Sequence, residues 1–394
     1  MSGDAVMMDA VAKGDIAAVQ RLLAQMRGGS TDGDRLGSEN NNNNVAKMVS
    51  SGNFDRLKSL LEADANPDAT GEDGKTALHY SAMFDNVEGL SALLTAKASI
   101  EMEDEEGTTA LMCAAQYHSV GCIKILLEAK ADVNASASKP DASSPLMIAA
   151  SYDSGECAKI LLEGKAQVDY IVGVNGNTAL IEASANRSKD VCAILVKAKA
   201  DVNLLNKEGE SALIVATRME AAGCVKELLE NKADPNLKSS RADVDSPLFL
   251  SILHNNSRCF DLLVKMKANL NAQDKKGDTP LGIACMSNHD IAKKLIAVKA
   301  DLDKSNLRGD TPLMLCGMYS APAVAKLLVE AKCDVNLKNK DGQTAGELAS
   351  QASFTETDKE DLLIKVRKAQ ARGDHEEARE FLQAWKESRG VFSS

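Results

Sequence analysis

The sequence predicts an all-α solenoid: helix-turn-helix units stacked in line, linked by short β-turn fingers and closed by a C-terminal helical cap. Three observations predict it. First, a Thr or Ser opening a unit recurs at Thr76, Thr109, Ser144, Thr178, Ser211, Ser246, Thr279, Thr311 and Thr344, with spacings of 33, 35, 34, 33, 35, 33, 32 and 33 residues. Second, one pattern fills each interval, most cleanly in TALMCAAQYHSVGCIKILLEAKADVN from Thr109 to Asn134: an apolar helix, a turn, and a second helix ending in L-L-E. Third, apolar residues make up 44% of the chain but aromatics only 3%, as suits thin helix pairs packed with small and aliphatic side chains. A unit of this size has too little apolar surface to stand alone and buries its helices against its neighbours.

The elements follow in order. Residues 1–26 read as a degenerate half repeat, in which VAKGDIAAVQRLLAQ places Gly14 at the inter-helix turn and Val19, Leu22 and Leu23 on one helix face. Residues 27–44 end in the run Asn40 to Asn44 and are expected to be a disordered loop. A solenoid is expected over 45–352. Its first, degenerate unit carries Gly52 at the turn and Leu60-Leu61-Glu62 at the helix end. Fingers of the form D/N/G-x-x-G-x-T/S put Gly74, Gly107, Gly176, Gly209, Gly277, Gly309 and Gly342 where a turn needs positive φ. Ala142 and Val244 replace the glycine in the two 35-residue units, which predicts longer, irregular fingers before Ser144 and Ser246. The pattern degrades after Gly346. Over 353–394, the capping box Thr357-x-x-Glu360 and the restart at Gly373-Asp374 predict a helical hairpin cap, with Trp385 packed on the last repeat.

T-x-L-x-x-A-A, L-L-E and A-D-V-N at this period resemble the ankyrin repeat. The resemblance implies protein binding in a concave groove built from finger tips and the ends of the first helices. It also puts Cys122, Cys157, Cys224 and Cys259, each thirteen residues after its opening Thr or Ser, on the core side of the second helix. There they are reduced small hydrophobes, too far apart to bridge. One departure is systematic. The family usually has Gly after the second helix, where the chain turns left-handed. This chain has Lys97, Lys130, Lys165, Lys199, Lys232, Lys267, Lys299 and Lys332. A cation beside the terminal helix carbonyls offsets part of the strain, and a lysine row facing an acidic partner is the functional alternative.

No chemistry is expected. ATGEDGKT from Ala69 to Thr76 satisfies a loose phosphate-loop pattern, but the preceding EADANPD is turn sequence rather than a buried strand. His79, His118, His254, His289 and His375 show no metal-ligand spacing, and the ankyrin resemblance implies that His79, in TALH, supports the finger turn. Catalytic, cofactor and metal sites are therefore expected to be absent. The net charge of -11 disfavours nucleic acid as the main partner, and no apolar run is long enough for membrane insertion. The N-terminus has no signal-peptide pattern, so a cytoplasmic protein is expected, with the nucleus as the alternative; the oligomeric state is left open, with a monomer favoured.

Partner-binding residues are read from the end of each first helix. Eight residues after the opening Thr or Ser stand Phe84, Tyr117, Tyr152, Asn186, Met219, His254, Ser287 and Tyr319; the preceding column adds Met83, Gln116, Arg218, Leu253, Met286 and Met318. Large amphipathic side chains suit a binding hot spot, and Phe84, Tyr117 and Tyr152 are the expected apolar anchor. Glu103, Glu105 and Glu106 make one finger acidic, whereas Lys275, Lys276, Lys304, Arg308, Lys338 and Lys340 make later fingers basic. This polarity would orient a partner with its basic segment near the acidic finger. The expected function is a non-catalytic scaffold or adaptor. A regulator or inhibitor that holds one enzyme or signalling protein in an inactive or assembling state is the alternative.

Overall fold

The computed structural model describes residues 54–351 apart from 64, 72, 138–142, 240–245 and 320. The expected half repeat, Asn-rich loop, irregular fingers at Ala142 and Val244, and C-terminal hairpin lie outside the described residues. Among the described residues there are eighteen helices and no strand. Helix α1 (Phe54–Glu62) precedes eight pairs: α2 (Ala77–Met83) with α3 (Val87–Thr95), α4 (Ala110–Gln116) with α5 (Val120–Glu128), α6 (Pro145–Ser151) with α7 (Gly155–Glu163), α8 (Ala179–Ala185) with α9 (Lys189–Lys197), α10 (Ala212–Arg218) with α11 (Ala222–Glu230), α12 (Pro247–Leu253) with α13 (Ser257–Lys265), α14 (Pro280–Ser287) with α15 (His289–Ala297), and α16 (Pro312–Met318) with α17 (Pro322–Glu330). Helix α18 (Ala345–Gln351) begins the ninth unit.

Each first helix starts where the sequence places it, and in most repeats the opening Thr or Ser caps it with its side chain; Ser246 does not, and α12 starts there on Pro247 instead. Thr109 Oγ1 accepts from the Met112 N–H at 3.4 Å, Ser144 Oγ from Met147 at 3.3 Å and Thr279 Oγ1 from Gly282 at 3.0 Å. Pro145, Pro247, Pro280 and Pro312 follow at the first helical position, where a missing N–H is harmless. The ninth unit's sequence pattern degrades after Gly346, yet its first helix runs to Gln351. A capping box supports it: the Glu347 carboxylate accepts from Thr344 N–H at 2.7 Å. The second helices bury one leucine-centred stripe, with Leu93, Leu126, Leu161, Leu195, Leu228, Leu263, Leu295 and Leu328 all at 0% exposure. All nine cysteines are free and buried, as the small-hydrophobe reading requires, and burial pushes the Cys113 thiol up to about 12.

Two compact units divide the chain, Met1–Lys207 (unit 1) and Glu208–Ser394 (unit 2). In unit 1 the first helices α2, α4, α6 and α8 pack in succession, and so do the second helices α1, α3, α5, α7 and α9. In unit 2 the first helices α10, α12, α14, α16 and α18 pack in succession, with α11 on α13 and α15 on α17.

Hydrogen bonds tie each repeat to the next within a unit. The side chain in the A-D-V-N segment reaches a backbone N–H one repeat on. In unit 1 Asp68 accepts from Ser99 at 2.7 Å, Glu101 from Asp132 at 2.8 Å, Asn134 from Gln167 at 2.8 Å and Asp169 from Asp201 at 3.1 Å. In unit 2 Asn236 accepts from Asn269 at 2.7 Å, Asn271 from Asp301 at 2.9 Å and Asp303 from Asp334 at 2.8 Å. Fingers join as well: Lys207 N–H donates to the Asn175 carbonyl at 3.0 Å, and Leu307 N–H to that of Lys276 at 3.0 Å.

The turns follow the sequence closely, with two exceptions. All seven finger glycines have positive φ, from 64° to 83°, and a Cβ on Gly277 would meet the Leu307 nitrogen at 2.6 Å. All eight lysines after the second helices are left-handed, with φ from 63° to 71°. That conformation costs a side chain about 1–2 kcal/mol, while a cation at a helix C-terminus returns about 0.3–1 kcal/mol. The first exception is a second left-handed column in the inter-helix turn: Asp85, His118, Asp153, Arg187, Glu220 and Asn255. The second is the repeat opened by Thr279. Its inter-helix turn is one residue shorter, and Asn288 (φ -148°) both ends α14 and caps α15. This is where the 32-residue spacing arises.

Candidate protein-binding site

The residue that closes each first helix is set by the helix itself. Phe84, Tyr117 and Tyr152 are C-caps with φ near -100°, and each backbone N–H returns to the last turn. Their side chains therefore leave the helix at one equivalent point in consecutive repeats of unit 1. Phe84 and Tyr117 are half-buried and Tyr152 is 43% exposed. One position earlier, Met83 and Gln116 are half-buried. Gln116 Nε2 donates to the Tyr152 hydroxyl at 3.0 Å, linking the columns across two repeats. The bond holds the phenol ring while leaving much of it open to solvent.

Unit 2 presents the same backbone position with other chemistry. Met219 is half-buried, His254 is exposed, and Tyr319 is 58% exposed. Leu253, beside His254, is 55% exposed. Met318 precedes Tyr319 and is half-buried. Met286, also half-buried, sits inside α14 rather than at its last position, because the shorter turn lets that helix run one residue further.

Glu103, Glu105 and Glu106 are exposed on the unit 1 finger, but the acid between them is not. Asp104 is 7% exposed, and its carboxylate accepts from Glu106 N–H at 2.9 Å and Thr108 N–H at 2.8 Å. Lys75 Nζ lies 3.2 Å from Asp104 and 3.2 Å from Asp73, whose carboxylate also accepts from the Tyr80 hydroxyl at 3.0 Å. Burial pulls the Lys75 value down, but the two carboxylates outweigh it and hold the ammonium above its ordinary range. The lysine of the phosphate-loop lookalike is thus clamped between two acids of its own and the neighbouring finger. His79 anchors the same corner. Its Nδ1 accepts from Thr76 N–H at 3.2 Å, and its Nε2 lies 2.8 Å from the Thr108 carbonyl of the next finger, which sets the Nε2–H tautomer. Burial depresses its pKa.

Sequence reasoning missed the apolar finger tips. Ile171 is 49% exposed, Val174 52% and Leu205 43% in unit 1, and Leu307 is 62% exposed in unit 2. The run Tyr170-Ile171-Val172 was the available signal.

The family model described as ankyrin repeats in three copies matches residues 7–98, 44–137, 146–239, 221–306 and 248–339. The chain belongs to the ankyrin repeat family. Ankyrin repeats mediate protein–protein interactions, and the cap, finger and helix-pair geometry above is theirs. Among curated ankyrin relatives, the ankyrin repeat protein L371 of Acanthamoeba polyphaga mimivirus is 31% identical over 111 residues, 28% of this chain; the match spans 14% of that protein's length. The ankyrin repeat protein YahD of Escherichia coli (strain K12) is 28% identical over 163 residues, 40% of this chain and 80% of YahD. Of solved structures, the human ASB11 ankyrin repeat domain matches at 26% identity and a TM-score of 0.48, covering 57% of this chain and 98% of that domain. Among the described residues no helix is long and apolar enough to cross a membrane, and no group of three His, Cys, Asp or Glu side chains could hold a metal ion.

Proposed function

We propose that this ankyrin repeat protein is a non-catalytic scaffold or adaptor of the cytoplasm, binding a partner protein through the first-helix ends of unit 1. The observation that carries the reading is the run of three aromatic C-caps in consecutive repeats, Phe84, Tyr117 and Tyr152, with the last both exposed and pinned by Gln116. Rigid aromatic side chains with a polar handle give large contact area at small entropic cost. Glu103, Glu105 and Glu106 supply an acidic flank, so the fitting partner segment is apolar with an adjacent basic stretch. The test is affinity capture by the wild type and by the F84A/Y117A/Y152A variant. With hot-spot residues worth about 2 kcal/mol or more each, the variant should lose at least about tenfold in affinity while melting cooperatively. Unchanged capture by a folded variant rejects the reading.

A further inference from the structure

Each second helix from α3 to α17 is followed by a lysine in a left-handed turn that glycine would occupy without strain. In unit 1 these are Lys97, Lys130, Lys165 and Lys199, with φ of 63°, 71°, 70° and 68°. All four are exposed. Glu128, Glu163 and Asp201 stand two residues away in sequence, yet among the described residues none of the four ammonium groups makes a hydrogen bond or ion pair. A cation beside the helix carbonyls returns only part of the strain of the left-handed turn, and in these four repeats the ammonium group has no protein partner among the described residues, which leaves it open to a use outside the fold. The helices that carry these turns, α3, α5, α7 and α9, pack in succession, so the lysine turns recur at roughly the interaxial distance of 8–10 Å.

We propose that this lysine row is a second interaction surface, which takes an acidic polypeptide segment of a partner protein. Charge complementarity selects the occupant. Residues 54–207 hold 23 acidic and 14 basic side chains, so the net charge of the span disfavours a long acidic chain, and a segment short enough to stay on the four ammonium groups is the occupant that fits. A nucleic acid, with charge along its whole length, would meet the acidic finger as well; a short acidic peptide stretch need not. The row is separate from the aromatic anchor and stands whether or not that reading holds.

The experiment measures binding of a fluorescent glutamate-only peptide to the full chain at low and physiological salt, with a DNA duplex of equal charge in parallel. The wild type should bind the peptide in a salt-sensitive manner. K97G/K130G/K165G/K199G should bind it about tenfold more weakly, while melting at an equal or higher temperature because the turns are relieved. Arginine at the same four positions should restore binding. If the glycine variant does not fold, the Lys→Gln quadruple variant, which removes charge and keeps the backbone conformation, takes its place with the same expected loss. Failure of the wild type to bind the peptide at low salt, equal binding by the neutral variants, or tighter binding of the duplex than of the peptide would each overturn the proposal.

Discussion

Units 1 and 2 share one backbone and differ in what it displays. Both have capped first helices, left-handed lysine turns and a side-chain ladder from each A-D-V-N segment to the next repeat. Unit 1 then presents Phe84, Tyr117 and Tyr152 beside an acidic finger, whereas unit 2 presents Met219, His254 and Tyr319 with Lys275, Lys276, Arg308, Lys338 and Lys340 on exposed fingers. In sequence, residues 54–207 carry an excess of acids, while 208–351 hold 19 acidic and 19 basic side chains. The difference teaches that the positions that stack the repeats are separate from those whose chemistry changes between the units. Buried leucines, caps and the Asx ladder repeat almost unchanged, so the first-helix ends and finger tips are where sequence can vary without loss of the fold.

The largest expected effect tests the shared part. Leu126→Ala in unit 1 and Leu263→Ala in unit 2 remove side chains at 0% exposure, and each should cost about 2–5 kcal/mol in urea unfolding. A cost below about 1 kcal/mol for either would mean that its helix stripe does not form the core of that unit.

Next come the displayed columns. Alanine at Met219, His254 and Tyr319 should weaken partner capture much less than alanine at the unit 1 aromatics, and a greater loss from unit 2 would reverse the assignment. E103Q/E105Q/E106Q should slow partner association mainly at low salt, since exposed charges steer encounter and are screened over about 8 Å at physiological ionic strength. A rate insensitive to both salt and these substitutions removes the steering role.

A smaller effect separates the units by pH. Burial depresses the pKa of His79 and of His118, with Asp153 raising the latter in part, and both lie in unit 1. The unfolded chain then takes up protons first. The stabilisation is complete above the ordinary histidine value of about 6.5 and is lost as pH falls through that value toward the lower folded one. Melting temperature should therefore drop between pH 7.5 and 5.5, and His79→Gln should narrow the drop; an unchanged drop would place the dependence elsewhere.

The smallest concerns the ladder. Burial raises the pKa of Asp169 and of Asp303, against a lowering hydrogen bond from the next repeat, with neighbouring aspartates adding to the rise. A raised carboxyl value means that the folded state disfavours the charge, so stability falls as pH rises through the window between the unfolded and folded values. Asp169→Asn and Asp303→Asn should each stabilise the chain slightly at pH 7 and have no effect at pH 3. Equal effects at both pH values would show that the charge is not what matters.

The parts of the fold legible in the sequence were those governed by local rules. A Thr or Ser before an apolar run is an N-cap, a finger glycine needs positive φ, and a lysine in the glycine position after a helix takes the same left-handed turn. Contacts between residues about one repeat apart were not legible. Asn134 reads as a turn residue, and only the stacked structure shows it accepting from Gln167. Asp104 reads as one more finger charge, but its carboxylate is enclosed by two backbone N–H groups and Lys75. Of the candidate site, the column was legible from register alone. Its side-chain states were not, because exposure at Tyr152 depends on the reach of Gln116 from the preceding repeat.

Hydrogen–deuterium exchange of the full chain, free and with its captured partner, tests most directly where recognition sits. Protection should appear in the peptides spanning Phe84, Tyr117 and Tyr152 and the Glu103–Glu106 finger, with little change at Met219, His254 and Tyr319. Protection confined to unit 2, or none at the three aromatic C-caps, would contradict the assignment.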